Sequence, residues 1–270
     1  GVYRDKWKTF YKKDRIIKLI DIAMTHPVFG DDTVYAKTTI QTILPAQDNL
    51  PTGDIEVLTE AINQNNEVVS KIHYIIRIYK RGQHPYQPKG EILTAVSDPK
   101  FSAYHLNPQG ELIEQAGLYF EDIMPGETYE HRPAKTFFAG ENWQHNTRSL
   151  DWHPRYVDQD YINAVHGGEM PVNEHYVLGV ATTLTTRTFD RVVANLGWNE
   201  IELHQPVFVG DTLYAESSIA DKRESHSRPT QGIIFANTTA FNQKGEKVVS
   251  FKRAFLVYRK GLGPYEAAGY

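Results

Sequence analysis

The strongest constraint on the fold of this chain is a repeat of its own sequence. Residues 27–36 read PVFGDDTVYA, and residues 206–215 read PVFVGDTLYA. The same shift of 179 positions, without gaps, also pairs Asn63 with Asn242 and Tyr79 with Tyr258. A match kept in register over about 55 residues indicates a duplicated structural unit, and such a repeat decides the architecture of a chain.

The repeated unit has the pattern of an antiparallel sheet. Its segments are rich in Thr, Val, Tyr and Ile and alternate apolar with polar residues, and polar turns of the form NQNNE and NQKGE join them. Alternation with hairpin turns predicts strands that bury one face. Three strands are predicted in each repeat. The strand at 33–44 is equivalent to that at 212–222, the strand at 55–63 to that at 233–242, and the strand at 68–80 to that at 247–260.

One helix is predicted ahead of the second repeat. Pro171 precedes a stretch from Val172 to Thr186 in which apolar residues recur at helical spacing. The second half is therefore an α+β pattern of strand, loop, helix and several antiparallel strands, which by itself allows several folds. Only 26 residues precede Pro27. The first half is expected to be incomplete, because a piece is missing at its start or because it has lost its opening strand and helix.

The composition of the segments divides the chain into four parts. Residues 83–116 are rich in Pro, Gly, Gln and Asp, which predicts a linker, with a short helix from Pro99 to Leu106. The first half is expected at 1–82. The second half, which carries the candidate site, is expected at 117–262, and a tail at 263–270.

The composition excludes several functional classes. There is no cysteine, which removes disulfides, thiol nucleophiles and most structural zinc sites, and is compatible with a cytoplasmic location. A net charge of −4 on a mixed surface predicts no nucleic-acid partner. No apolar run approaches the ~20 residues that span a membrane, so no membrane association is predicted. His, Asp and Glu lack zinc-ligand spacing and no phosphate-binding glycine motif occurs, so neither a metal nor a cofactor is predicted, and His145 and His166 are expected in loops.

Four stretches of sequence carry a family resemblance. They are GLYFEDIMPGETYEHRPAKT, PVNEHYVLG, VANLGWNEIELHQPVFVGDTLYAES and KRESHSRPTQGI. The segment from Gly117 to Lys260 resembles the MaoC-like dehydratase and hydratase family, especially its mesaconyl-CoA hydratase (β-methylmalyl-CoA dehydratase) branch. The resemblance implies a double hot-dog fold, in which a curved antiparallel sheet wraps a central helix in each of two fused halves. In such enzymes one half carries the catalytic pair and the other shapes the substrate tunnel, and here only the second half has a candidate motif.

The hydratase motif of this family has the form Asp-x-Asn-Pro-x-His, and its Asp and His share the water that adds to an enoyl thioester. The matching run here is DWHPRY, in which Asp151 falls on the Asp and Pro154 on the Pro. His153 takes the Asn position, and Tyr156 takes the position of the catalytic His. A tyrosine of pKa ~10 is a weak base at neutral pH but can donate a proton. The predicted catalytic residues are therefore Asp151 with Tyr156, or with His153 if a shifted loop aims its imidazole inward.

The resemblance also implies substrate-binding groups. In the family, backbone amides near the start of the central helix bind the thioester oxygen, which favours Asn173 and Glu174 here. Arg223 and Arg228 are expected to meet the phosphates or a carboxylate of a CoA-linked substrate. Each residue also has an ordinary structural interpretation: Asp151 as a turn residue, Asn173 or Glu174 as a helix cap, and the arginines as a charged strand end.

The implied function is that of a hydro-lyase, a hydratase or dehydratase, acting on an enoyl or β-hydroxyacyl thioester of CoA or an acyl carrier protein. Asp151 would be the base or water-holder, and Tyr156 or His153 the proton donor. Two alternatives stay open. One is a divergent hot-dog enzyme: a polyketide or fatty-acid tailoring cyclase or isomerase, or a thioesterase. The other is a non-catalytic thioester-binding subunit. A homo-oligomer, a dimer or larger, is expected because hot-dog units normally pair through their sheets.

Overall fold

The computed structural model describes residues 2–3, 13–45, 49–83, 100, 102, 104–115 and 117–265. The chain divides into two compact units. The smaller unit is Trp7–Glu91, and the larger unit combines Gly1–Lys6 with Ile92–Tyr270. Each unit contains one of the two predicted sheets. The residue boundaries expected for the linker and the tail stay a prediction.

The chain begins with β1 (Val2–Tyr3), a two-residue strand of the larger unit. The smaller unit is an antiparallel sheet of four strands in the order β2-β5-β4-β3. Its hairpins connect strands that follow each other in the chain, as the polar turns predicted. The strands are β2 (Lys13–Met24), β3 (Val34–Ile43), β4 (Thr52–Asn63) and β5 (Val68–Tyr79).

The larger unit has a short hairpin and then a six-stranded sheet in the order β1-β8-β10-β11-β12-β9, with four helices between the first and second long strands. All its neighbouring strands are antiparallel except β1, which pairs in parallel with β8. The elements are β6 (Tyr104–Leu106), β7 (Leu112–Glu114), β8 (Thr128–Thr136), α1 (Ala139–Ser149), α2 (Pro154–Val157), α3 (Gln159–His166), α4 (Glu174–Leu184), β9 (Val192–Leu203), β10 (Thr212–Glu224), β11 (Gln231–Phe241) and β12 (Lys247–Tyr258).

The duplication predicted from the repeat is confirmed strand by strand. The bounds of β9 and β12 lie 179 residues after those of β2 and β5, and the order β9-β12-β11-β10 repeats the order β2-β5-β4-β3. The three predicted strands of the first repeat are β3, β4 and β5, and their equivalents in the second repeat are β10, β11 and β12. The equivalent strands β2 and β9 were not predicted. Several irregularities in their hydrogen-bonded register interrupt the alternation of apolar and polar residues in each.

The predicted helix is confirmed as α4, which lies against β8, β10 and β12. It begins at Glu174 because the side chain of Asn173 caps it, accepting the backbone N–H of His175 at 2.9 Å. Its buried residues belong to one of two apolar clusters, and the second cluster lies further along the same strands. The first contains Val177, Val180, Ala181, Leu213, Ala215, Ala240 and Phe251, and the second contains Phe120, Phe189, Ile219, Ile234, Ala236 and Phe255.

A buried polar layer separates the two apolar clusters. Ser217 and Thr238 each lie between members of the two clusters along their strands, and their hydroxyls are 2.7 Å apart. The ring of His131 bridges the Ser217 hydroxyl at 2.8 Å and the Thr188 hydroxyl at 2.9 Å. Arg253 lies in the same layer and donates to the hydroxyl of Thr185 at 3.1 Å. These hydrogen bonds offset the cost of burying polar groups.

The sheet of the smaller unit leaves exposed the face that is buried under the two apolar clusters in the larger one. Ile219 is 2% exposed, whereas its repeat partner Ile40 is 60% exposed. Leu213 is 1% exposed, whereas its repeat partner Val34 is 45% exposed. The described part of the smaller unit includes no helix. Among the described residues, the face of the smaller sheet is therefore exposed, which agrees with the expected incompleteness of the first half.

Two local predictions are wrong. The short helix expected from Pro99 to Leu106 is contradicted at its end, where β6 pairs with β7. The side-chain oxygen of Asn107 accepts the backbone N–H groups of Gln109 and Glu111, which closes a hairpin turn there; Pro99 lies outside the described residues. The histidines expected in loops, His145 and His166, lie in α1 and at the end of α3.

Candidate active site

The first residue of the motif, Asp151, follows directly on α1. The chain turns at Leu150, which has the left-handed φ of 59° and ends the helix, and the backbone N–H of Asp151 then donates to the carbonyl of Asn146 at 3.0 Å. The carboxylate accepts the side-chain amide of Asn173 at 2.9 Å and the backbone N–H of His153 at 3.3 Å. A carboxylate has about four lone-pair sites, so the half-buried Asp151 keeps acceptor capacity for a water molecule.

Three buried asparagines join α1 to the start of α4. Asn142, Asn146 and Asn173 are each at most 1% exposed. The side-chain amide of Asn173 donates to Oδ1 of Asn146 at 2.7 Å, and its backbone N–H donates to Oδ1 of Asn142 at 3.1 Å. Because unpaired buried amides are costly, this network fixes one helix against the other. Sequence reasoning missed Asn142 and Asn146, for which the four-residue spacing in α1 was the only signal.

The asparagine network decides which backbone amides at the helix start are engaged. The N–H groups of Asn173 and His175 already donate to side-chain oxygens. The first N–H groups of a helix have no partner within the helix. In the part of the chain that the structure describes, no hydrogen-bond acceptor is found for the N–H of Glu174.

Tyr156, predicted to take the position of the motif's histidine, is 5% exposed on α2. Its hydroxyl donates to Oε2 of Glu174, and Nη2 of Arg155 lies 3.2 Å from Oε1 of the same carboxylate. Burial raises the pKa of Tyr156, and the hydrogen bond and charge of Glu174 act in the same direction, while Arg155 opposes them. The phenol is therefore protonated at neutral pH. The side chain of Glu174, of which only the backbone was expected to matter, is its partner.

His153 begins α2 and its ring is used for capping. Its Nδ1 accepts the backbone N–H of Arg155 at 3.3 Å, and Pro154 occupies the first helical position, where a missing N–H costs nothing. The exposed ring lies edge-on to Tyr156 and Tyr161, with ring centroids 6.2 Å apart in both cases. One ring nitrogen of His153 is thus engaged in holding the local backbone.

A cleft of about 460 Å³ lies between α1 and α4. The ring of His145 stacks on that of Tyr176 in this cleft, with centroids 4.9 Å apart and planes 18° from parallel. Burial lowers the pKa of His145 below its usual value, the nearby His175 acts in the same direction, and Asp151 opposes them. One face of α1 and one residue of α4 line the cleft: Glu141, Gln144, His145, Arg148, Ser149 and Tyr176.

The structure does not bring Arg223 and Arg228 together with Asp151. Both are exposed, Arg223 near the end of β10 and Arg228 in the turn that follows. The start of β10 at Thr212 lies beside Thr136, close to where α1 begins. Arg223 is eleven residues further along, which corresponds to about 35 Å of strand. A role for the two arginines at the phosphate end of a long thioester stays a prediction.

Comparison with known proteins decides the family. The family model described as mesaconyl-CoA hydratase matches residues 101–269, more than half of the 270-residue chain. The chain belongs to the mesaconyl-CoA hydratase family. A curated mesaconyl-CoA hydratase of Cereibacter sphaeroides is 33% identical to this family member over 149 residues, which are 54% of this chain and 42% of the relative. The mesaconyl-CoA hydratase of Haloarcula hispanica is 29% identical over 150 residues, 54% of this chain and 41% of the relative.

The chain spans about two fifths of the length of the curated relatives it matches. A solved MaoC domain protein from Chloroflexus aurantiacus has 20% sequence identity and a TM-score of 0.51, and the match covers 92% of this chain and 77% of that one. The predicted α+β double hot-dog fold of this mesaconyl-CoA hydratase family member is confirmed. None of the helices within the described ranges is long and apolar enough to cross a membrane. The same ranges contain no group of three or more His, Asp or Glu side chains able to hold a metal ion.

Proposed function

We propose that this family member is a MaoC-like hydro-lyase that adds water to an enoyl thioester or removes it from a β-hydroxyacyl thioester. One observation supports this most directly. Two side chains of the motif converge on consecutive residues at the start of α4: Asp151 accepts the amide of Asn173, and Tyr156 donates to Glu174. The family match over residues 101–269 supports the reaction class.

The chemistry needs a group that holds water and a group that donates a proton. Asp151 is the base or water-holder, because its carboxylate is anchored and still has acceptor sites. Tyr156 is the proton donor to the α-carbon, because its phenol is protonated at neutral pH and its hydroxyl lies at the start of α4, where Asp151 is also anchored. The backbone N–H of Glu174 binds the thioester oxygen, where negative charge develops. His153 is the less favoured donor because its Nδ1 accepts the N–H of Arg155.

The substrate class is proposed from the relatives. Both curated relatives bear the name mesaconyl-CoA hydratase, which favours a CoA thioester of a short unsaturated acid over a carrier-protein thioester. We further propose that the protein acts as a homo-oligomer. A divergent enzyme or a thioesterase would use the same site but break a different bond. The products formed from an enoyl-CoA therefore distinguish these alternatives from a hydratase.

The test is loss of enoyl absorbance when the protein is mixed with mesaconyl-CoA or crotonyl-CoA. Asp151→Asn is expected to lower kcat at least about 100-fold, the scale of general acid–base catalysis. Asp158→Asn is the matched control, because Asp158 is an exposed helix cap of α3 in the same segment. No turnover by the unaltered protein, or full activity in Asp151→Asn, would contradict the proposal. Release of free CoA without hydration would indicate a thioesterase.

A further inference from the structure

The imidazole that the motif lacks has a structural counterpart in the cleft. We infer that His145 is the catalytic base of this site and shares the attacking water with Asp151. The inference rests on the proposed hydro-lyase function and assigns the role of water-holder, rather than base, to Asp151. Three features of the described residues support it: the position of His145, the freedom of its ring nitrogens and the charges around it.

The position of His145 follows from the end of α1. His145 precedes Asn146, whose carbonyl accepts the backbone N–H of Asp151 at 3.0 Å. The backbones of His145 and Asp151 are therefore held within about one helical turn of each other. Asn146 also fixes the side-chain amide of Asn173, which in turn donates to the carboxylate of Asp151. The residues that anchor the carboxylate thus also fix the helix that carries the imidazole.

The ring of His145 differs from the rings of His131 and His153 in its hydrogen bonding. His131 uses both ring nitrogens for hydroxyl groups, and His153 uses one for the cap of α2. His145 is held by stacking on Tyr176, and neither of its ring nitrogens has a hydrogen-bond partner among the residues that the structure describes. It lines the cleft, so both nitrogens are available to water or a ligand. The stacked ring has a fixed plane, as a general base requires.

The surroundings of His145 keep its imidazole neutral at the pH where a base is needed. Its burial and the nearby His175 lower its pKa, and the negative charge of Asp151 only partly opposes them. The carboxylate of Glu141 contributes little charge to the cleft, because Nζ of Lys135 lies 2.6 and 2.7 Å from its two oxygens. The titratable and charged groups around the ring are Glu141 and Arg148 on α1, His175 and Tyr176 on α4, and Asp151.

The step balances with groups already assigned. The water molecule donates one hydrogen bond to Asp151 and the other to a ring nitrogen of His145. As its oxygen bonds to the β-carbon, its O–H bond breaks and the proton goes to the imidazole. The electron pair of the carbon–carbon double bond takes the proton of the Tyr156 hydroxyl at the α-carbon. The imidazolium then returns a proton to the tyrosinate through solvent, so that one water is added and the enzyme is restored.

The experiment compares His145→Gln with His105→Gln, which changes an exposed histidine of β6 that is given no part in the site. In the hydration assay, kcat of His145→Gln is expected to fall at least about 100-fold with KM changed less than about threefold, and His105→Gln to stay within about threefold of the unaltered protein. If His145→Gln only lost packing contacts, its urea unfolding midpoint would fall as well. His145→Ala gives a second readout: added imidazole is expected to restore part of its activity, since the cleft is open to solvent.

The outcomes separate the inference from the proposed function. If the unaltered protein hydrates an enoyl-CoA and His145→Gln keeps more than about a third of its kcat, the inference is overturned and the hydro-lyase function stands. A folded but inactive His145→Ala that imidazole does not rescue also overturns it. If the unaltered protein turns over no thioester, the proposed function itself fails. The acid limb of the kcat/KM profile should be present in the unaltered protein and absent from the residual activity of His145→Gln.

Discussion

The hydroxyl of Tyr156 donates its hydrogen bond to the carboxylate of Glu174. The residue at the position of the motif's histidine is therefore held by an acid on the central helix, while Asp151 is held by the asparagine beside that acid. Arg155 completes the arrangement with a contact of 3.2 Å to the other oxygen of Glu174. Tyr156 and Asp151 are thus each held by one of two adjacent residues at the start of α4.

Removal of the Tyr156 hydroxyl tests this pairing. Tyr156→Phe keeps the buried ring and is expected to lower kcat at least about 100-fold if the phenol donates the proton. The loss of one hydrogen bond to a charged group should lower the free energy of unfolding by only about 2 kcal/mol. Hydration kinetics and urea unfolding measure the two effects. Tyr161→Phe, on the neighbouring helix, is the control and should change neither. A Tyr156→Phe variant with full activity would assign the proton donor elsewhere.

The repeat provides a matched pair for the contribution of a buried sheet face to stability. Ile219→Ala should lower the free energy of unfolding by about 2–4 kcal/mol, because the side chain is buried in the second cluster. Ile40→Ala, at the same position of the smaller sheet, should cost less than about 1 kcal/mol, because its side chain is 60% exposed. Urea unfolding followed by circular dichroism compares them. Equal costs would mean that the face of the smaller sheet is covered in solution.

A second matched pair concerns two glycines of the repeat, Gly232 and Gly53. A Cβ at Gly232 would lie 2.1 to 2.5 Å from ring atoms of the buried Phe120, whereas a Cβ at Gly53 would meet nothing within 4 Å. Gly232→Ala should therefore lower the free energy of unfolding by about 1–3 kcal/mol through overpacking. Gly53→Ala should be neutral or slightly stabilising, since alanine restricts the unfolded chain. Melting temperatures of the two variants measure this, and a reversed order would contradict it.

The buried polar layer predicts a pH dependence of stability. Burial, and to a smaller degree the charge of Arg253, lowers the pKa of His131 from 6.5 to about 3. Between these values the unfolded chain binds a proton that the folded protein does not, so stability decreases as the pH falls from 6.5 towards 3. The slope from this group is at most about 1.4 kcal/mol per pH unit.

The measurement is the free energy of unfolding at pH 6.5 and pH 4.5 for the unaltered protein, for His131→Gln and for His226→Gln. His131→Gln should lose part of the slope, whatever its effect on absolute stability. His226 is exposed, so His226→Gln should keep the slope of the unaltered protein. Identical slopes in all three proteins would show that His131 does not carry this proton linkage.

The strands and the helix of the larger unit could be read from the sequence because their signals are local. Alternation in β10, β11 and β12 depends only on which face of each strand is buried, and the repeat projects the same strands onto the smaller unit. The equivalent strands β2 and β9 were not predicted, because irregular pairing interrupts the alternation of apolar and polar residues in each. His145 was misplaced in a loop because α1 is polar on most of its surface and buries asparagines rather than an apolar stripe.

The sequence by itself determined the duplication and the family, and it predicted the two motif residues Asp151 and Tyr156, because repeats and motifs are patterns along the chain. The partners of those residues were decided only by the tertiary structure. Tyr156 reaches Glu174 across 18 positions, and Asn146 reaches Asn173 across 27. Such hydrogen bonds exist only where helix packing brings the two side chains within about 3 Å, and no spacing along the chain encodes that distance.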